Sequence, residues 1–254
     1  HLKNPKLQQA FSIQPLLVGG SPFDTTSIYG LIHYLERKHG IFFAMGGTGK
    51  LVEELVKLAK NAGVDFKFNT PIKRLIIEKR FIKSAETENN EIFEADHFVF
   101  NGDPLFLYHN LIDKKFMPIT TRLKRDNFKL SMGLYVLFFG TSKSYQEVAH
   151  HTIVMGDTYK KLLNDIFHKK ILSDDIALYL HRPTATDPSF APTGKDSFYV
   201  LCPVPNNQSK INWSVEEPIL RKKVIAALEK NLLPDLSKNI EDDFAMTPDD
   251  FEEN

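Results

Sequence analysis

The residues that could do chemistry are few, and the first group is the stretch FAMGGTGKLVEEL at 43–55. A phosphate-binding loop needs Gly, four residues, Gly-Lys, and then Ser or Thr. Its backbone N–H groups wrap the phosphates, the Lys reaches the outer ones, and the hydroxyl binds Mg²⁺. Gly49-Lys50 supply the Gly-Lys pair, but the first Gly position is Ala44 and the hydroxyl position is Leu51. Two of the four requirements fail, so a nucleotide hydrolase or kinase is not the reading we take. The dinucleotide fingerprint fails as well: Gly47 and Gly49 are spaced correctly, but Val52 holds the third site. The same residues read as a strand-to-helix turn, with glycines for tight geometry and Thr48 as the helix cap.

A second candidate is His150-His151. Successive strand residues point to opposite faces, and no H-x-x-x-H or C-x-x-C accompanies the pair. We read it as a turn or strand edge and assign no metal site. Cys202 lies in FYVLCPVP, a buried strand by pattern, so packing rather than nucleophilic catalysis is its expected role. No Gly-x-Ser-x-Gly elbow is present. Arg182 and Asp187 flank a Pro-Thr loop and read as an ion pair that stabilises it.

These groups sit in a chain of 254 residues, enough for one large or two small domains. Hydrophobic residues at 42% and charged residues at 25% suit a globular protein. The 32 basic residues balance 32 acidic ones, so no overall field draws nucleic acid. One cysteine excludes an internal disulfide and suits a reducing, cytoplasmic compartment. No apolar run approaches the roughly 20 residues of a membrane span. The 20 Phe and 8 Tyr permit an apolar ligand cavity as well as an ordinary core. The chain opens at His1, and Thr247-Pro248-Asp249-Asp250 reads as a helix cap and first turn close to its end. We therefore expect the middle of a longer protein.

The elements that must position these residues follow from spacing. Residues 1–24 are loop-rich. The spacing of Ile28, Leu31, Ile32 and Leu35 predicts a helix ended by Gly40. A short strand at 41–45 leads into the glycine turn and a helix over about 49–62, stopped by Gly63. Alternation at Val64, Phe66 and Phe68 predicts a half-buried strand. Two strands joined near Glu78-Lys79-Arg80, a turn at Asn89-Asn90, a short strand EIFEA and a more buried strand DHFVFN make a meander. A helix follows at about 104–112. LSMGLYVLFFG (130–140) is a strand. Residues 157–170 form a helix with Tyr159, Leu162, Leu163 and Ile166 inward. IALYLHRP and DSFYVLCPVP are strands, and 216–234 is a helix with Pro218 near its start.

Taken in order, AFSIQPLLVGGSPF, SIYGLIHYLE, MGGTGKLVEELVKLAKNAGVDFKFNTPIKRLI, NGDP, HHTIVMGDTY and RPTATDPSFAPTGKDSFYVLCPVP resemble the bacterial-type phytoene desaturase family. These are FAD-dependent desaturases of polyene hydrocarbons, in the amine-oxidase-like flavoprotein superfamily. The resemblance runs over roughly residues 8–250. It implies an α/β fold with α+β elements: the middle of a two-domain FAD flavoprotein. A β-sheet substrate domain with helices would join part of a doubly wound FAD domain carrying a β-meander. By position, 1–43 and 104–245 would belong to the substrate domain, 44–103 to the FAD domain, and 246–254 to its truncated return.

The same resemblance places the adenine end of FAD near the main chain of Ile72 and Lys73. It matches FVFNGDP to a strand end that often reads Asn-Ala-Asp-Pro in the family, with Gly102 here in place of Ala. Asn101, Gly102 and Asp103 would then lie at the cofactor crevice. Strands 130–140 and 198–204 would line a cavity for the polyene substrate. Desaturation needs a hydride acceptor that side chains lack, so the flavin would supply it and no catalytic side chain is named. The first and last FAD-binding segments of the family are not matched here, so this piece alone is expected to be inactive and to lack FAD. A lipid substrate suggests peripheral contact with the inner face of the cell membrane, and 114–128 is the candidate stretch. A polyene isomerase or saturase on the same scaffold, and a non-catalytic module for an apolar ligand, stay open as alternatives.

Overall fold

The computed structural model describes residues 2–253, and the chain divides into two units. One runs to Val56 and resumes at Leu130; the other is 57–129.

The first stretch of the larger unit is helical. Asn4 caps α1 (Pro5–Phe11) by accepting the N–H groups of Lys6 and Leu7. Next come α2 (Ile13–Leu17) and α3 (Gly30–His39). Arg37, Lys38 and His39 occupy the last turn of α3, and Gly40 closes it at φ +80°. That is where cations and a glycine stabilise a helix C-terminus. Helix α4 (Thr48–Asn61) follows the glycine turn. The strand expected at 41–45 is not formed: among the described residues the segment pairs with no other strand, and Ile41 and Phe42 are 66% and 88% exposed.

In the 57–129 unit, β1 (Ile72–Glu78), β2 (Phe81–Thr87) and β3 (Ile92–Glu94) form the expected antiparallel meander, in that order. Lys79 and Arg80 both take positive φ at the hairpin, as a two-residue turn of matching twist requires. Asp103 caps α5 (Pro104–Phe106), whose chain continues as one π turn, Leu107–Leu111. Helix α6 (Ile119–Asp126) completes the unit. The strands expected at 64–68 and 96–101 are not strands here. Apolar alternation marks a segment that fits a sheet, but a strand also needs a hydrogen-bonding neighbour, and among the described residues neither segment has one.

The chain returns to the larger unit with β4 (Gly133–Thr141), β5 (His151–Val154) and α7 (Tyr159–Asn164), which continues as a π turn over Asp165–Lys169. Then come β6 (Leu178–His181), β7 (Asp196–Val204), α8 (Trp213–Asn231), α9 (Leu236–Asn239), β8 (Ile240–Met246) and α10 (Pro248–Glu253). Five strands form one antiparallel sheet in the order β5-β6-β7-β4-β8. Tyr135, Leu137 and Phe139 of β4 and Phe198, Val200 and Cys202 of β7 share a core with Val224 and Leu228 of α8. Tyr159, Leu162, Leu163 and Ile166 are all buried, as their spacing predicts.

Helix α8 starts earlier than expected, at Trp213, so Pro218 lies inside it. Buried Trp213 anchors that extra turn. Strand β8 is not foreseen from pattern, because Glu241, Asp242 and Asp243 break its apolar run; pairing with β4 and ion pairs to Lys195 and Arg221 hold it. Both sheets are wholly antiparallel, so the described residues form an α+β fold.

Candidate functional site

Side chains alternate between the two faces of a sheet, so each strand that sends one face to the α8 core presents the other elsewhere. On the second face of the five-stranded sheet, each strand contributes one aromatic ring to a row. The backbone register pairs His151 with His181, His181 with Tyr199, Tyr199 with Phe138, and Phe138 with Phe244. Centroids of successive rings are 5.3, 4.4, 5.8 and 4.6 Å apart. Contacts of this kind between cross-strand neighbours fix the register and stiffen the face.

Over this row lies an open cavity of about 530 Å³, lined by Phe43, Phe138, His181, Phe190, Tyr199 and Phe244, among others. A smaller apolar pocket of about 70 Å³ sits elsewhere on the sheet, among Leu16, Met132, Leu134, Ile153, Tyr179 and Leu201. Strands 130–140 and 198–204 both reach this cavity, through Phe138 and Tyr199.

The glycine turn roofs one side of the larger cavity. Gly46 and Gly47 both sit at φ +83°, a conformation that glycine adopts without strain. The N–H of Gly46 donates to Asp187 at 2.8 Å, and a Cβ on Gly47 would come within 3.0 Å of the Phe190 ring. Phe43, just before the turn, packs on Phe190 at 5.9 Å. Hydrogen bonds from Ser189, then the Gly46 N–H, hold the Asp187 carboxyl below its usual range.

Arg182 therefore does not pair with Asp187. Its Nε donates to buried Asp196 at 2.9 Å and its Nη1 to the carbonyl of Val148 at 2.8 Å. Burial raises the Asp196 pKa, but Thr184, the Tyr145 N–H and Arg182 together outweigh that and lower it. The ion pair stabilises the loop as expected, with a different acid, because Asp196 opens the partner strand while Asp187 is engaged by the glycine turn.

At the other end of the ring row the histidines gather. His150 precedes β5, so the strand rule that keeps neighbours apart does not bind it. Its Nε2 lies 2.7 Å from Nε2 of His181 and its Nδ1 2.5 Å from the Thr186 hydroxyl. Nδ1 of His151 lies 2.7 Å from the Tyr179 hydroxyl. Burial lowers all three histidine pKa values, that of His181 to about 4. Sequence spacing gave no sign of the third histidine; only strand pairing brings it in. Cys202 is 1% exposed and its thiol is pushed up to about 12 by burial, the profile of an inert packing residue.

The residues expected at a flavin lie in the 57–129 unit. Ile72 opens β1, half-buried, opposite Thr87. Lys73 is exposed at a register shift between Ile72 and Arg74, its Nζ 3.3 Å from Asn90. Asn101, Gly102 and Asp103 are exposed, and Asp103 Oδ1 accepts the N–H groups of Leu105 and Phe106. A Cβ on Gly102 would meet the Phe100 ring at 2.6 Å, so the turn keeps bare backbone there. Among the described residues β1 pairs with β2 alone and is an outer strand, and an outer strand can offer main-chain donors and acceptors to a ligand.

The fold has counterparts among solved structures. It superposes with a TM-score of 0.64 on an oxidoreductase from Methanosarcina mazei, at 11% identity, covering 96% of this chain and 53% of that one. A Pyrococcus furiosus protein gives the same score at 16% identity, covering 95% and 53%. No protein-family model matches the chain. Curated relatives define the class further. The lycopene-forming phytoene desaturase of Paracoccus sp. is 39% identical over 98% of this chain and 50% of its own length. That of Pseudescherichia vulneris is 38% identical over 98% and 51%. The neurosporene-forming phytoene desaturase of Rhodobacter capsulatus is 36% identical over 98% and 49%. By sequence the chain is similar to phytoene and carotenoid desaturases along nearly all of its own length, and it spans about half the length of the curated relatives it matches.

Proposed function

We propose that this chain contributes the substrate surface and part of the flavin-binding surface of an FAD-dependent desaturase acting on a polyene hydrocarbon. The observation that carries the reading is the row of five aromatic rings, four of which (His181, Tyr199, Phe138 and Phe244) line the 530 Å³ cavity. A polyene has no polar handle, so its binding rests on buried apolar area at roughly 25 cal/mol per Å². Flat rings side by side offer such area to an extended, planar chain, and Phe43 and Phe190 cover it from the glycine-turn side. Ile72, Lys73, Asn101, Gly102 and Asp103 are assigned to the FAD surface, through main chain at the β1 edge and the Asn-Gly-Asp turn. Bound flavin supplies the hydride acceptor that side chains lack. The side chains orient the polyene and exclude water.

The apolar segments at 64–68 and 96–101 read as inner strands of the doubly wound FAD domain, and the larger unit as the substrate domain. Among the described residues no helix is long and apolar enough to cross a membrane. For delivery of a lipid substrate we assign peripheral membrane contact to α6 and its flanks. Ile119, Leu123 and Phe128 are exposed there beside Lys114, Lys115, Arg122, Lys124 and Lys129.

The test is product analysis with phytoene in liposomes, using the protein with its flanking sequence and added FAD. Phe138→Asp should cut conversion at least tenfold while flavin absorbance is retained. Failure to bind FAD, or equal conversion by Phe138→Asp, would overturn the reading.

A further inference from the structure

We propose that His150, His151 and His181 form a binding site for a divalent cation of the zinc class at the edge of the aromatic cavity. The proposal rests on histidine geometry alone and stands or falls separately from the desaturase reading.

Each of the three residues offers a ligating nitrogen, and these atoms lie within 4.8 Å of one another. Zinc bound tetrahedrally at about 2.0–2.1 Å holds its nitrogens roughly 3.3 Å apart. The observed separation of 2.7 Å between Nε2 of His150 and Nε2 of His181 is shorter than this, and the cluster limit of 4.8 Å is longer. Small side-chain rotations span the difference.

The surroundings prepare the rings. A ligating histidine usually donates its other ring N–H to an oxygen, which fixes the tautomer. The Thr186 hydroxyl meets Nδ1 of His150, and the Tyr179 hydroxyl meets Nδ1 of His151. With each Nδ1–H donating there, Nε2 of His150 and His151 keeps its lone pair; the 2.7 Å contact then puts a proton on Nε2 of His181, which metal binding would move to the ring's other nitrogen. His181 is 8% exposed, and its Nδ1 has no hydrogen-bond partner. No protein contact therefore commits its Nδ1, and its Nε2 already points at the cluster. Two backbone elements hold the three residues: His151 and His181 are paired across β5 and β6, and the N–H of Arg182 donates to the carbonyl of His150 at 2.8 Å.

The donor set selects the metal. Three imidazoles with no carboxylate suit zinc, copper, nickel or cobalt rather than magnesium or calcium. Three protein ligands leave one position for water or another ligand. Because His181 also lines the cavity and its ring packs tilted against Tyr199 at 4.4 Å, metal occupancy would fix the ring at that end of the aromatic row.

The experiment is calorimetry and equilibrium dialysis of the protein with its flanking sequence against ZnCl₂ at neutral pH, with Co²⁺ as an optical probe. We expect one equivalent bound in the micromolar range or tighter, with tetrahedral Co²⁺ absorption, and no competition from excess Mg²⁺. His150→Ala and His181→Ala should each weaken binding at least tenfold. His151 is exposed on an edge strand, so His151→Phe should keep the metal-free melting temperature and still weaken zinc tenfold. That variant decides the matter if the others fail to fold. No uptake at millimolar zinc, or uptake that His151→Phe leaves unchanged, would overturn the site.

Discussion

The two antiparallel sheets of this chain are built by the same local rules and reach different ends. In the five-stranded sheet, Tyr135, Leu137, Leu180 and Val200 are 0% exposed. In the meander, Phe81 is 74% exposed and Ile92 49%, and the buried run on β2 is Ser84, Ala85, Glu86 and Thr87. Hairpin turns and alternation suffice to form strands in both. Among the described residues the first sheet has a long helix, α8, packed over one apolar face, while the meander has one short helical turn, Leu107–Leu111, against β1; burial of the first kind dominates stability. Strand formation is therefore local, while stability depends on what covers the strand.

The largest expected effect attacks the more robust region at the Arg182–Asp196 ion pair, both of whose partners are buried. Asp196→Ala removes the acceptor for Arg182, Thr184 and the Tyr145 N–H. It leaves a guanidinium that is 7% exposed with no counter-charge. Urea denaturation should show a loss of about 3–5 kcal/mol. Next, Leu137→Ala in the α8-covered core should cost about 2–5 kcal/mol. In this chain without its flanking sequence, Val99→Ala in the 57–129 unit, at a side chain 94% exposed, should stay within about 0.5 kcal/mol. Equal costs at Leu137 and Val99 would erase the contrast between the regions.

How much was legible follows the same division. Local signals were read well: the helix over 157–170, the two-residue hairpin at Lys79-Arg80, and the alternation of 196–204 all carry their information within a few residues. Pairing was not. The unpaired segments at 41–45, 64–68 and 96–101 have strand-like patterns but no neighbour among the described residues. Strand β8 has a neighbour but hides its pattern under Glu241, Asp242 and Asp243. The site behaved likewise. The apolar cavity strands were visible as aromatic-rich runs. His181 lies 30 positions from its nearest cluster partner, His151, and the acid beside Arg182 was misassigned because two candidates, Asp187 and Asp196, flank one loop. Distances of that kind are set by register, which one chain's composition does not encode.

A smaller effect separates charge from packing within the larger unit. Asp165 is 1% exposed and accepts hydrogen bonds from Lys169 at 2.7 Å and Lys161 at 3.0 Å. Those lysines hold its pKa down from 3.8 to about 2. A depressed carboxylate contributes stability that is fully present above 3.8 and is lost as pH falls toward about 2. The urea midpoint of the wild type should therefore exceed that of Asp165→Asn by a constant amount at neutral pH, and the two should converge as pH falls through that window. A gap independent of pH would show that Asp165 acts through packing alone.

The smallest effect concerns Lys50, the residue that first suggested a phosphate loop. Its Nζ lies 2.6 Å from Glu53 on an exposed face of α4, and the Glu53 hydrogen bond raises its pKa. The neighbouring glycines are engaged elsewhere, Gly46 by Asp187 and Gly47 against Phe190. No feature of the turn aims backbone N–H groups at a phosphate. Lys50→Ala in the protein with its flanking sequence should therefore leave flavin absorbance and the flavin dissociation constant within twofold of wild type. Asp187→Ala should instead loosen the turn and reduce polyene conversion, since Phe43 and Phe190 would lose the anchor that seats them over the aromatic row. Loss of flavin in Lys50→Ala would reinstate a nucleotide role for the loop and remove the reason for treating it as part of the cavity's cover.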